Sequence, residues 1–551
     1  MSQVRYKQLA QISFTDLEVY SALPEHPIWS RVAEQIDFSF ADELCAPLYS
    51  TRGPRPYAPS LKLKLHLVQR YYNLSDRQME ERVIGDLFIK RFLGLPVTFM
   101  GMDHSTLGLD RERMGSALFD ACHHHILAQA KQKGLWGNEA DVWLVDSFHT
   151  KGHVPRRSAY RLIQHAILRV VNQLKRAHPA LYRQLCRQWD AEPVLTRFAS
   201  ESSPEERALT FSTLVLSGHR LLRWFEQEDV NRLFWSWADT KRQRASLERQ
   251  AILYQILAEN TEPEDPNDPE SRWKKKPFKA RPASRIMSSV DTDARLSRKN
   301  GRSYLGDKNQ VLTSAKHNLV LVSEPIDGNE PDGALFPSLV QAAMDRHDVK
   351  PKALVGDAAY GHGRQRREFA QRELRLVAPV KLVGENPTGL FSNVRFRYDA
   401  AAGSMTCPAD VVTKRGYHSR QQEGKQYHFP KERCFSCSLR AQCTDSNEGR
   451  KVFVSDYYDD FQTAKAFNQT EEGRGLLRLR YRVERKVHEL KNHQGLGEAR
   501  TTTREKRRTY VKLASMVANM KVFVKQVGSL QLGFDRKRRT YFTLPGNPRL
   551  A

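Results

Sequence analysis

Two short apolar runs of this chain each end in a lone aspartate, Val142-Trp143-Leu144-Val145-Asp146 and Ala353-Leu354-Val355-Gly356-Asp357. A strand interior disfavours charge, so an acid at its mouth is a cap or a site residue, and in open α/β sheets sites form outside the strand ends. Two such acids on neighbouring strands could share a divalent cation. Oxygen donors suit Mg²⁺, which keeps several waters and takes one or two protein carboxylates. Asp141, Asp291, Asp293 and Asp307 compete for the same role. A third acid comes from GLLRLRYRVERKVHELKNH. At ~100° per residue, Leu476, Leu479, Val487 and Leu490 fall within ~40° of Val483, a sharp buried stripe. Arg480, Glu484 and Lys491 lie together on one flank of that stripe, and Glu489 lies on the other side, further toward solvent. Glu484 is therefore placed to look from a helix into a site on the sheet.

The cysteines offer a second chemistry. Cys407-Pro408 is followed by Cys434-x2-Cys437 and Cys443, so four of the seven cysteines fall within 37 residues. Four thiols with one pair at this spacing can close a tetrahedral zinc site, and His418 or His428 can stand in for one of them. Cys45, Cys122 and Cys186 are scattered and read as core residues. Cys122-His123-His124-His125 does not read as a metal site, because successive helical residues point in different directions.

The chain has 551 residues, 88 basic and 63 acidic, a net charge of +25. A field this positive favours a polyanionic partner, nucleic acid first and an anionic membrane second. From residue 471 onward there are 20 basic and 7 acidic residues, so about half of the excess sits beside Glu484. The segments TTTREKRRTYVK and FDRKRRTYF interleave Arg with aromatic rings, and Arg536, Lys537, Arg538 and Arg539 are candidate phosphate contacts. No transmembrane run and no secretory h-region is expected, and few cysteines over this length suit a reducing cytoplasm.

These residues need elements to hold them. The 3.6-residue periodicity predicts helices through 1–135, with Ser75 capping one of them. A strand is expected over 141–148, long basic helices over 155–260, and a Pro-rich linker and internal boundary over 259–284. Residues 303–323 read as two strands around a polar turn. LFPSLVQAAMDRH, ALVGD, RREFAQREL and LRLVAPVK then alternate helix and strand, which implies an α/β sheet. Residues 398–445 break the pattern, and 471–525 return to helix.

The order Asp146, Asp357, Glu484, with Arg480-x3-Glu484-x6-Lys491, resembles the DDE transposases of bacterial insertion sequences, in particular the group with a Tyr-x2-Arg-x3-Glu-x6-Lys signature. WLVDSF, SVDTDARLSRKNGRSYLGDK, LVGDAAYG and YRVERKVHELKNHQGLGEAR are similar to that group's motifs, as are the stretch 42–95 and MDHSTLGLDRER before them. The signature Tyr falls at Leu477, and Tyr481, nearby, points elsewhere on the helical wheel.

The resemblance implies an α/β, ribonuclease H-like catalytic core (141–397 and 471–530) with a helical insertion and linker at 155–280. It implies a helical N-terminal DNA-binding and assembly domain (1–135), a Cys-rich, zinc-ribbon-like insertion (398–450) and a basic tail (531–551). Asp146, Asp357 and Glu484 would hold two Mg²⁺ or Mn²⁺ ions, and Arg480, Lys491 and Tyr481 would contact DNA. The implied activity is cleavage at transposon inverted-repeat ends and transfer of the 3′-hydroxyl to target double-stranded DNA. It implies a homodimer on paired ends, in the bacterial cytoplasm at the nucleoid. An inactive, transposase-derived DNA-binding protein and a nuclease without strand transfer are the competing expectations.

Overall fold

The computed structural model describes residues 4–9, 12–137, 141–196, 202–268, 270–299, 301–380, 389–535 and 540–543. Its centre is a six-stranded sheet built from β1 (Val142–Lys151), β2 (Arg295–Lys299), β3 (Arg302–Ser314), β4 (Val320–Asp327), β5 (Ala353–Val355) and β6 (Arg375–Val377). β1 runs antiparallel to one edge of β3. The other edge of β3 takes β2 along residues 302–306 and β4 along 307–313, both antiparallel. On its far side β1 is parallel to β5, and β5 is parallel to β6. β1 is buried along nearly its whole length. That is what a near-continuous apolar run requires when both faces of a sheet are covered.

One face packs on the N-terminal helices. Leu63 and Leu67 of Pro59–Tyr71 and Phe119 and Leu127 of His104–Gln132 share a single apolar core with Trp143, Leu312 and Leu354 of the sheet. The 28-residue helix Arg504–Gln531 adds Leu513, Met516, Val517 and Phe523 to it. The helical N-terminal region is thus built into the core of the sheet. The other face carries Phe148 and Val311 against Leu490, Leu496 and Val511.

Between β1 and β2 the chain leaves the sheet and forms a mostly helical module. Its main helices, Ala159–Ala177, Pro204–Glu226 and Thr240–Asn260, enclose a core of their own around Ile167, Leu214, Leu221 and Leu253. The linker expected over 259–284 is part of this module. Its strands Thr261–Pro263 and Trp273–Lys275 pair as a hairpin, and Trp273 stacks on His219. Pro and charge marked a loop in the sequence; the Trp273 ring fixes it to the module.

A smaller module follows β6. Two three-stranded antiparallel sheets of two- to five-residue strands surround Phe396, Met405, Tyr427, Phe429, Val452 and Val454. The chain then returns through helices Tyr458–Gln469, Glu471–Arg478 and Arg480–His488. The continuous C-terminal helix expected from the periodicity is broken at Leu479, and its last turn, Glu489–His493, is π-helical. Among the described residues, no helix is long and apolar enough to cross a membrane.

Candidate active site

Pairing of β1 with β5 ends at Leu144 opposite Val355. Asp146 and Asp357 each lie two residues further on, so the parallel register brings the two acids side by side. Gly356 permits this close approach. A Cβ there would lie 2.8 Å from a methyl of Val145 and 3.0 Å from Cβ of Tyr360. Asp357 caps the short turn Ala358–Tyr360 by accepting a hydrogen bond from Ala359 N at 2.8 Å. Asp146 accepts one from Ser147 N at 2.7 Å.

Glu484 lies near enough for its charge to act on Asp146, on helix Arg480–His488, which packs against β1 through Val483 and Leu144. It is exposed and accepts a hydrogen bond from Arg480 at 3.2 Å. Asp146 feels the charge of the other two acids. Burial, then the charges of Asp357 and Glu484, push the Asp146 carboxyl up to about 6, against the Ser147 hydrogen bond and the Lys299 charge. Like charges gathered in a half-buried pocket disfavour ionisation in just this way, and a bound cation would relieve the penalty. The donor set of three carboxylates suits a hard divalent ion.

The competing acids have structural partners. Asp141 accepts from Ser314 Oγ and Lys316 N at the other end of β1. Asp291 and Asp307 are buried against Arg507, and Asp293 accepts from Arg504 N at 2.9 Å. Glu489 accepts from Lys486 at 2.7 Å and lies with Tyr481, Arg482, Arg485 and His493 in a separate basic cleft. Tyr481 therefore belongs to that cleft rather than to the triad. Lys491, which lies in the π turn, exerts its charge on His149 of β1. Arg536, Lys537, Arg538 and Arg539 lie outside the described residues.

A second layer beneath Asp146 was not evident in the sequence. Ser147 donates to Asp332 at 2.8 Å, and Lys308 pairs with the same carboxylate at 2.8 Å. Burial alone would raise the Asp332 carboxyl, but hydrogen bonds from Lys308 and Ser147 bring it below its ordinary value. The buried phenol of Tyr360 lies beside Ser147. Burial, then the charges of Asp332 and Asp146, hold it well above its usual range. His149, stacked on Tyr304 at 4.9 Å, is lowered to about 4 by burial and by Lys308 and Lys299. The only sequence signal for this layer was proximity: Ser147 and Tyr360 each lie within three residues of an acid.

The four clustered cysteines line one pocket, while Cys45 and Cys122 are buried and Cys186 is exposed. Cys186 is thus not a core residue; it lies on the outer face of a surface helix of the module. In the histidine run, His123 hydrogen-bonds Asn519, His124 meets His347 at 2.9 Å, and His125 stacks on Phe40. Asp120, His123 and His124 come close together, but Lys512 and Arg346 pair with Asp120 at 2.6 and 2.7 Å, so cations already fill that cluster.

Comparison with known families gives two matches. Residues 17–113 match Transposase domain (DUF772), and residues 406–524 match Transposase DDE domain. The second spans the Cys-rich module and Glu484; Asp146 and Asp357 lie outside both. No curated protein and no solved structure matches the chain.

Proposed function

We propose that this chain, which the two matches identify as a DDE transposase of the insertion-sequence type, cuts phosphodiesters at the ends of its element and joins the freed 3′-hydroxyl to target DNA. Asp146, Asp357 and Glu484 form the acidic centre in this reading. The observation that carries it is the placing of two acids at adjacent strand ends with a third on the helix packed against them, where burial first and then the charges of the other two oppose ionisation of Asp146. A ribonuclease H-like core is supported by the strand order, in which β1 has antiparallel strands on one side and two parallel strands on the other.

Phosphodiester cleavage passes through a crowded anionic transition state, and Mg²⁺ or Mn²⁺ ions, when bound, supply charge stabilisation there and activate the attacking oxygen. The protein's share is placement. The β1–β5 register fixes Asp146 and Asp357 as a rigid pair. Ser147, Asp332 and Lys308 hold the backbone on the far side of Asp146. Glu484 sits on an exposed helix face, where Arg480 orients it until substrate arrives. Lys299 and Lys491 add positive charge along the path of the phosphate backbone, and Tyr481, Arg482 and Arg485 offer a second basic surface. A homodimer on paired ends is part of this proposal.

The test is excision. A donor plasmid carrying the gene between its own flanking DNA should lose the element when the protein is expressed in trans, leaving a repaired donor. Binding to the flanks with no excision and no nicking in Mn²⁺ would instead identify an inactive DNA-binding descendant.

A further inference from the structure

The Cys-rich module has too little apolar material to explain its fold. Six buried hydrophobic side chains serve two sheets of very short strands, well below what an independent core usually needs. Cys407, Cys434 and Cys443 pack against that small core from three separate segments. Cys407 opens a tight turn in which its N–H donates to Val411 O at 3.0 Å and its carbonyl accepts from Asp410 N at 2.9 Å. Cys434 lies in helix Lys431–Phe435, Cys437 in the turn after it, and Cys443 ends helix Arg440–Cys443.

Three features of the pocket suit sulfurs gathered around a cation. First, Leu439 N donates to Cys437 Sγ at 3.4 Å, an N–H···S contact that favours a charged sulfur. Second, Gly449 has φ of 79°, and a Cβ there would lie 2.7 Å from Phe429 O and 3.5 Å from Cys434 Sγ. A side chain there would clash with the Phe429 carbonyl, so glycine lets this segment pass within ordinary contact of the sulfur. Third, Arg433, Arg440 and Arg450 line the pocket, and no carboxylate does. Among the described residues none of the three is ion-paired. Arg450 donates to the carbonyls of Cys443 and Phe391 at 3.0 and 2.8 Å, and the Arg440 guanidinium lies 3.7 Å from the centre of the Phe435 ring. Three uncompensated arginines around four neutral thiols would be an electrostatic liability. Around four thiolates and one divalent ion, a unit of net charge about −2, they are its counter-charge.

We infer that Cys407, Cys434, Cys437 and Cys443 bind one structural zinc ion, which staples the module between β6 and the helix that bears Glu484. The histidine alternatives fall away: His418 hydrogen-bonds Asp456 and His428 packs edge-on to Tyr417, and neither lines the pocket. No three of the sulfurs lie within 4.8 Å of one another. Binding of the ion would therefore draw the sulfurs closer together. With four thiolates the coordination shell is closed, so this ion takes no part in DNA chemistry.

Full-length protein, purified under reducing conditions and washed with chelator, should retain about one zinc per chain by elemental analysis. Cobalt added to apo-protein should produce thiolate-to-cobalt charge-transfer absorption. The double variant Cys434→Ser/Cys437→Ser should lose the zinc and the cobalt band, and protease should then cut within 400–450. Cys186→Ser, outside the module, should keep both. Should the double variant fail to fold, titration of wild-type protein with a mercurial reagent replaces it: zinc should appear in solution in step with the loss of four thiols. Wild-type protein that holds no zinc and takes up no cobalt, or a double variant that keeps its zinc, overturns the inference.

Discussion

If Asp146 sits where burial and two other acids oppose its charge, removing that charge should make the metal-free protein more stable while destroying its function. Moving the carboxyl from its ordinary value of 3.8 to about 6 corresponds to roughly 3 kcal/mol against the ionised form. Asp146→Asn keeps the shape and the hydrogen bond from Ser147 N. At pH 7.5 without divalent ions the variant should therefore gain about 2–3 kcal/mol, seen as a higher urea midpoint and a Tm raised by several degrees.

The sign with pH is specific. A raised carboxyl favours the folded state while that state is protonated, below about 4, and the benefit is lost as pH rises through about 6. The difference between wild type and variant should thus be near zero at about pH 3, grow from about pH 4 and level off above about pH 7. Mn²⁺ should stabilise wild type and close the gap, because a bound cation compensates the charge, and should do little for the variant. A variant no more stable than wild type at pH 7.5, or one that responds to Mn²⁺ as wild type does, would refute the reasoning.

Other consequences are separable. Burial, together with His124 and Arg346, lowers His347 to about 3; the fold should lose on the order of 3–5 kcal/mol as pH falls from about 6.5 toward 3, and His347→Gln should lessen that acid sensitivity in a pH-dependent melting series. Arg507 is buried with two acids, Asp291 and Asp307, so Arg507→Met should cost about 3–5 kcal/mol in urea unfolding; a neutral result would mean those acids are protonated. Replacing Arg536, Lys537, Arg538 and Arg539 by Ala should weaken binding to all DNA sequences alike and make the slope of log K against log salt shallower by up to about 0.9 per lost contact; an unchanged slope would mean the tail is merely solvated.

Much of the frame was legible because burial leaves a strong pattern. The runs ending in Asp146 and Asp357 and the hairpin of β3 and β4 form elements where the periodicity put them, and Leu476, Val483 and Leu490 of the stripe are buried although its helix breaks at Leu479. What escaped depends on contacts across long separations. Asp332 meets Ser147 over 185 residues, and nothing local in its loop distinguishes it from a solvated acid. The π turn at Glu489–His493 departs from the uniform 100° step on which the placing of Lys491 rested. Trp273 turned a Pro-rich stretch into a packed hairpin, and Cys186, apolar by type, ended on a surface. The merging of the N-terminal helices with the sheet was also invisible, since shared burial of Leu67, Phe119 and Trp143 carries no sequence mark of its own.

The central claim is that Asp146, Asp357 and Glu484 act together, and single-strand nicking of a labelled duplex carrying the element's end tests it most directly. Asp146→Asn, Asp357→Asn and Glu484→Gln should each abolish nicking in Mg²⁺ and in Mn²⁺ while retaining binding in a gel-shift assay, and Glu489→Gln should nick at close to the wild-type rate. Nicking that survives in Glu484→Gln and disappears in Glu489→Gln would contradict the account and move the third acid to the other face of the helix.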